Sequence, residues 1–280
     1  MKFVVIGANA AGMSAASRVK RRMPDCEVTV LEQTFEVSYG ACGLPFYIAG
    51  LNNDLDLVRI RSVEDFEKAG IEMRLGHTAE RIDFAKKTVL GRDISGNAFY
   101  AEYDRLLIAS GASPKKLHVP GEELGNIFTL KTPQDAEHIR AAVKHAHGNV
   151  VIVGGGAIGL EIAEACILQK TWNLRILEAA DQLLPGFDPE FAAAAAGELA
   201  NHSVCVNLGE RIVRFSGGET VERVMTDHGE YEADVVIVSI GVTPNTAFAE
   251  GLNKLSNGAI AIDPAMKTSE PDVFAAGDCT

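Results

Sequence analysis

One cysteine, Cys42, stands in the small-residue turn VSYGACGLPFYIAG (37–50), with Pro45 three residues on. A thiol reacts as its thiolate, and the amino end of a helix favours that form. Proline suits a helix's first turn, so the run after Cys42 reads as a short apolar helix opening on the thiol. Sulfur redox or nucleophilic chemistry is what such a placement could do. Two further stretches suggest a different chemistry: Gly7-Ala8-Asn9-Ala10-Ala11-Gly12 and Gly154-Gly155-Gly156-Ala157-Ile158-Gly159. Glycines at this spacing make a tight turn, let the backbone approach a pyrophosphate, and bring helix and strand into close packing.

The elements around these turns repeat one pattern. KFVVI (2–6) reads as a buried strand, the first turn follows, a helical run extends through about Arg22, and EVTVLE ends on Glu32. VVIV (150–153) leads into the second turn, a helix reaches about Gln169, and LRILE ends on Glu178. Strand, glycine turn, helix, strand and terminal acid in this order make a dinucleotide site. The phosphates meet the helix amino terminus and the acid accepts from ribose hydroxyls. Two such sites are therefore expected. In the first, Asn9 holds the middle glycine's place, and asparagine's tolerance of unusual backbone angles is expected to keep the turn. Glu178 is followed by Ala179 and Ala180, with no nearby arginine, which favours NADH over NADPH.

The rest of the chain joins the two copies. Helices are expected over 62–69, 132–146 and 188–200, and short strands over 71–90, 98–109, 203–206, 210–215, 219–226 and 234–239. YDRLLIASGASP (103–114) reads as a strand ending in a glycine turn, an exit from one domain, so one nucleotide domain is inserted into the other. The 280 residues carry a formal charge of −12, which argues against a nucleic-acid partner. No apolar run reaches the roughly 18 residues of a membrane span, and Met1 leads straight into KFVVIG, so neither a membrane partner nor a signal peptide is expected. Cys26, Cys42, Cys166, Cys205 and Cys279 are scattered without CxxC or zinc spacing. The expectation is no metal, and reduced thiols in the cytoplasm. The four cysteines other than Cys42 read as side chains packed among apolar neighbours.

Together these residues resemble the flavin-dependent pyridine nucleotide–disulfide oxidoreductases over essentially the whole chain. The first glycine loop matches their FAD site, LLIASGASP their crossover and the second glycine loop their NAD(P) site; VFAAGDCT matches the segment whose aspartate, here Asp278, holds the ribityl chain. The resemblance implies an α/β fold of two Rossmann-like domains, each a three-layer ββα sandwich. An FAD domain would cover 1–112 and 243–280, with an NAD(P) domain over 113–242 inserted into it. FAD would be held by Gly7, Asn9, Ala10, Ala11, Gly12, Glu32, Gln33, Ala79, Ser110, Gly111 and Asp278. NADH, or NADPH, would be held by Gly154, Gly156, Ile158, Gly159, Glu178 and Gly241, with Glu161 near nicotinamide and flavin.

The glutathione-reductase branch carries a second cysteine near the first. Tyr47 and Val37 hold the positions it could take here, so the single-cysteine branch remains, in which Cys42 would cycle beside the flavin. Oxidases and peroxidases of that branch carry a histidine in the first glycine loop. The matching residue here is Ala10, and no histidine occurs before His77. GLPFYIAG looks like the CoA-disulfide and persulfide reductases, although Ala41 stands where that group often has asparagine. The expectation is a reductase of CoA disulfide, persulfide or polysulfide, homodimeric as a full-length protein. An NADH oxidase or peroxidase, a ferredoxin- or rubredoxin-type electron-transfer reductase (against which Cys42 speaks) and a non-catalytic nucleotide-binding fragment stay open as alternatives. The resembling enzymes continue into a carboxy-terminal interface domain. With the sequence ending just past Asp278, a chain lacking that domain and holding FAD weakly is expected.

Overall fold

From Phe3 to Ile6 the first strand is buried residue by residue. An unbroken apolar run of this kind suits the middle of a parallel sheet covered on both faces. The computed structural model describes residues 1–145, 148–170 and 173–280, and puts Lys2–Ile6 at the centre of five parallel strands. Their order is Val273–Ala275, Arg105–Ile108, Lys2–Ile6, Glu27–Glu32 and Ile71–Leu75. Alternation along the strand builds the layers. Val4 and Ile6 pack with Ile82, Val89 and Ala101 of an antiparallel sheet formed by His77–Asp83, Thr88–Asp93 and Ala98–Glu102. Phe3 and Val5 pack with Met13 and Ala16 of helix Ala10–Arg22 and with Phe66 of helix Val63–Lys68.

The second glycine turn sits in the same architecture. Its sheet runs Cys205–Leu208, Asn173–Glu178, Asn149–Val153, Val235–Val238 and Ile127–Phe128, all parallel. Val151 and Val153 face a three-stranded antiparallel sheet through Phe215 and Val224, and helices Pro133–His145, Ala157–Leu168 and Pro189–Asn201 complete the unit. The chain is α/β, with Rossmann-like parallel sheets. The expected last residue of the helix at 132–146 lies outside the described residues. Short strands escaped the sequence reading, Ala112–Pro114, Ile127–Phe128, Glu230–Glu232 and Val242–Pro244 among them, because two or three residues are too few to show a period. No helix among the described residues is long and apolar enough to cross a membrane.

The chain divides into two compact units. One comprises Met1–Gly40, Val58–Ser113 and Thr243–Thr280; the other comprises Ala41–Leu57 and Pro114–Val242. The segment 41–57 was expected in the first domain and groups instead with the second unit. Its helix, Leu44–Ile48, is only five residues long and cannot stand without packing, so it buries Leu44, Pro45 and Ile48. Arg140, from helix Pro133–His145, lies 4.5 Å over the Tyr47 ring, donates to the Asn52 carbonyl at 3.3 Å, and also bonds Asn53 Oδ1. A cation–π contact with two added hydrogen bonds clamps the segment after Cys42 onto that helix.

Close packing of helix on strand depends on two glycines. A Cβ on Gly12 would stand 1.9 Å from the Gly7 carbonyl oxygen, and one on Gly159 would stand 2.1 Å from that of Gly154. Gly12→Ala should therefore destabilise the chain by about 1–3 kcal/mol through overpacking, read as a lower midpoint in thermal unfolding. An unchanged midpoint would show that the turn can relax and that the contact does not constrain the fold.

Candidate active site

The two glycine turns are closed by the same set of hydrogen bonds. Gly7 and Gly154 both take φ +107°, and their amides donate to Leu31 and Leu177 carbonyls, each at 2.8 Å. The next amide in each turn reaches the terminal acid: Ala8 N to Glu32 Oε2 at 2.9 Å, and Gly155 N to Glu178 Oε2 at 2.6 Å. The other carboxylate oxygen accepts the amide two residues past the acid, Thr34 N or Ala180 N, each at 2.8 Å. Each carboxylate thus fastens the turn to the end of the neighbouring strand. A carboxylate has about four acceptor positions, so ribose hydroxyls can still be received. A Cβ on Gly156 would meet nothing within 4 Å, which leaves open space where a phosphate would approach.

In the first unit, Gly7, Glu32, Gln33, Ala79 and Ser110 line one cavity of about 90 Å³ with His77, Asn245 and Phe248. Asn245 was not singled out in the sequence. It donates from Nδ2 to the Ser110 carbonyl (3.2 Å) and from its amide to the Gly111 carbonyl (2.9 Å), and its own carbonyl accepts the Ser110 hydroxyl (2.6 Å). Gly111, at φ +66°, is held in its turn by these bonds. Ala10 is exposed at the start of helix Ala10–Arg22. Asp278 is exposed beside Gly277, whose Cβ would meet the Ala11 side chain at 3.1 Å, so this turn lies against the same helix start.

In the second unit, a cavity of about 670 Å³ is lined by Gly154, Gly156, Ile158, Glu178 and Gly241, with Phe187, Glu210 and Arg211 among its other walls. Glu161 is exposed on helix Ala157–Leu168 and lies outside those walls. Arg211 corrects the expectation that no arginine stands near Glu178. Only the residues following Glu178 in the chain were legible from the sequence, whereas strand pairing sets Leu208 beside Glu178 and brings Arg211 to the same cavity.

Cys42 is exposed, in a 3-10 turn, Ala41–Gly43, that runs directly into Leu44–Ile48. The loop leading to it is tied down: Ser38 N donates to the Ala8 carbonyl (2.8 Å) and Tyr39 N to Asn9 Oδ1 (3.1 Å). Asn9 therefore departs from expectation. Its φ of −105° is ordinary for any residue, and its side chain serves instead as acceptor for the thiol loop. Cys205 also departs, being exposed at the start of an edge strand. Cys26, Cys166 and Cys279 are buried. Burial raises the thiol pKa of Cys26 and Cys279 and pushes that of Cys166 up to about 12. A third cavity, about 320 Å³ and in the first unit, is lined by Ser17, Lys20, Arg21, Arg61, Ala69 and Ile71. The basic run RVKRR (18–22) was the available signal for it.

A sequence model of the family described as pyridine nucleotide-disulphide oxidoreductase matches residues 1–280. The chain is 40% identical over 278 residues to a CoA-dependent NAD(P)H sulfur oxidoreductase of Pyrococcus abyssi, covering 98% of this chain and 61% of that protein. In structure it is similar to an NAD-dependent persulfide reductase from A. fulgidus, with TM-score 0.95 and 36% identity, covering 100% of this chain and 53% of that one. It is also similar to the water-forming NADH oxidase from Lactobacillus brevis bound to NADH, with TM-score 0.95 and 31% identity, covering 100% and 62%. The chain spans about three fifths of the length of the curated relatives it matches.

Two measurements probe this geometry. Glu178→Ala removes the acceptor of the Gly155 and Ala180 amides, and should cost the nucleotide-free chain about 1–3 kcal/mol; thermal unfolding without added nucleotide reads it. No loss there would mean that Glu178 acts on ligands alone. Titration of the native chain with a thiol-reactive disulfide dye should give two fast equivalents, from Cys42 and Cys205, and three that react only on unfolding. A third fast thiol would contradict the burial described.

Proposed function

The chain belongs to the pyridine nucleotide-disulphide oxidoreductase family, and from that premise we propose that it is the nucleotide-binding core of an NAD(P)H-dependent flavoprotein that reduces CoA disulfide, persulfide or polysulfide at Cys42. The observation that carries this reading is the thiol loop itself: one exposed cysteine whose approach is bonded, through Ser38 and Tyr39, to the first of two matching dinucleotide turns. The first turn, with Glu32, Gln33, Ala79, Ser110 and Gly111, fits the adenosine and phosphates of FAD. The second, with Glu178 and the open space at Gly156, fits those of NAD(P)H. When bound, the flavin supplies the two-electron relay between nicotinamide and sulfur.

The residues of the chain do the rest. Cys42 as thiolate attacks one sulfur of the substrate, forming a mixed disulfide or persulfide and expelling the other sulfur as a thiolate. Two electrons then cleave the new S–S bond, restoring the Cys42 thiolate and freeing the second sulfur. Tyr47, under Arg140, offers no second thiol for an internal disulfide. The CoA reading draws on the basic cavity at Lys20, Arg21 and Arg61, which suits a ligand bearing several phosphates, and on the name of the P. abyssi relative. Five free cysteines suit a reducing compartment, so we place the protein in the cytoplasm. Phe46, Leu51 and Leu57, exposed on the segment after Cys42, suit a homodimer contact in the whole protein.

Flavin-loaded Cys42→Ser protein should accept electrons from NADH yet lose at least 95% of disulfide or persulfide turnover, because a serine hydroxyl cannot enter thiol–disulfide exchange. Retained turnover would reduce Cys42 to a structural role. Oxygen consumption by the unmodified protein exceeding its rate with CoA disulfide would move the assignment to the oxidases.

A further inference from the structure

We infer that Arg211 lets the second nucleotide site accept a ribose 2′-phosphate, and so lets the chain use NADPH as well as NADH; this rests on the nucleotide assignment proposed for that cavity. Leu208 pairs with Glu178 across adjacent parallel strands. Just beyond, Gly209 N donates to the Ala180 carbonyl (2.8 Å) and Glu210 N to the Glu178 carbonyl (2.9 Å). The 209–210 turn is thereby bonded to the backbone around the acid that would meet the adenosine ribose. Arg211 N donates to Asp227 Oδ1 (3.0 Å), and the Arg211 carbonyl accepts from Asp227 N (3.1 Å). Its backbone is fixed on both sides, and Arg211 lines the same cavity as Glu178 and Ala179.

The charges around it are unequally engaged. Glu178 accepts two amides. Glu210 accepts the Tyr231 hydroxyl at 2.6 Å and the Thr226 hydroxyl. Asp227 accepts from Arg211 N, and its Oδ1 lies 2.9 Å from His228 Nδ1. The Arg211 guanidinium is exposed and pairs with no carboxylate among the described residues. It presents a planar fork of N–H donors that matches a phosphate bidentately. In dinucleotide sites the acid receives the ribose 2′-hydroxyl, and an arginine nearby accommodates the phosphate that replaces it. Ala179 and Ala180, small and uncharged, leave that function to a residue from the adjoining turn.

Calorimetric binding of NAD⁺, NADP⁺ and 2′,5′-ADP to the chain, to Arg211→Ala and to Arg211→Lys tests the inference without any turnover. Thermal unfolding of each variant checks that it is folded, and Arg211→Gln replaces the alanine variant if that one is not. The expected result is a rise of about tenfold or more in the ratio Kd(NADP⁺)/Kd(NAD⁺) in Arg211→Ala, as for loss of a charge-assisted pair. Weakening of 2′,5′-ADP to match, with partial recovery in Arg211→Lys, is expected alongside. A ratio within twofold of the unmodified chain's overturns the inference. An unmodified chain that binds NAD⁺ but neither phosphorylated probe overturns it while leaving the nucleotide site standing. One that binds none of the three overturns the site assignment and this inference with it.

Discussion

The constraint on which both sites depend is a carboxylate at a strand end that accepts two backbone amides. Glu32 and Glu178 each join the second residue of a glycine turn to the second residue past the acid. Hydrogen bonds to a charged acceptor are among the stronger ones, and burial around Glu178 makes an unmade one costly. The glycines alone do not fix the turn. A residue at φ +107° has no intrinsic reason to stay there, and the carboxylate supplies one by holding the next amide. What a sequence reading treats as a ribose contact is thus also an internal brace. The pocket keeps its shape because the residue that would read the ligand also holds the turn in place.

The first copy extends this brace to the loop at Ser38 and Tyr39, which precedes the thiol in the chain. Where a middle glycine would make room for phosphate, Asn9 gives up that freedom and turns its amide oxygen to Tyr39 N. With Ser38 N on the Ala8 carbonyl, the loop before Cys42 is bonded to the same turn that Glu32 closes. From the other side, the segment after Cys42 is clamped by Arg140 through Tyr47, Asn52 and Asn53. Along the chain, the exposed thiol thus follows a hydrogen-bonded loop and precedes a clamped helix. That distinguishes it from Cys205, equally exposed but at the start of an edge strand with no such loop around it.

What was legible in the sequence follows from range. KFVVI and VVIV announce central strands because every residue must be apolar when both faces are covered. The glycine spacings and terminal acids are visible because turn, helix start and strand end all lie within about two dozen residues. Helix Pro189–Asn201 was legible from its alanine run. The misses have the opposite character. Asn245 acts on Ser110 and Gly111 from far along the chain, Arg140 reaches back to Tyr47, and 41–57 belongs by packing to a unit whose main sequence begins at Pro114. Cys205 misled because its neighbours in sequence are apolar, whereas exposure is decided by its place at the sheet edge. Asn9 was located correctly and explained wrongly, since backbone tolerance can be read from a residue type and a hydrogen-bond partner cannot.

The same distinction governs what a dinucleotide motif can say about selectivity. Its glycines and acid recognise the parts common to these nucleotides, pyrophosphate and ribose, so they must be local and can be read in one pass. Discrimination depends on a single added phosphate at the rim of the cavity, and any element that reaches the rim can supply the cation. In a parallel sheet the turn after the neighbouring strand reaches it as directly as the turn after the acid's own strand. Gly209 and Glu210 are hydrogen-bonded to the residues around Glu178 for that reason. A preference inferred from Ala179 and Ala180 alone samples one of two adjoining turns, and in this chain the charge stands on the other.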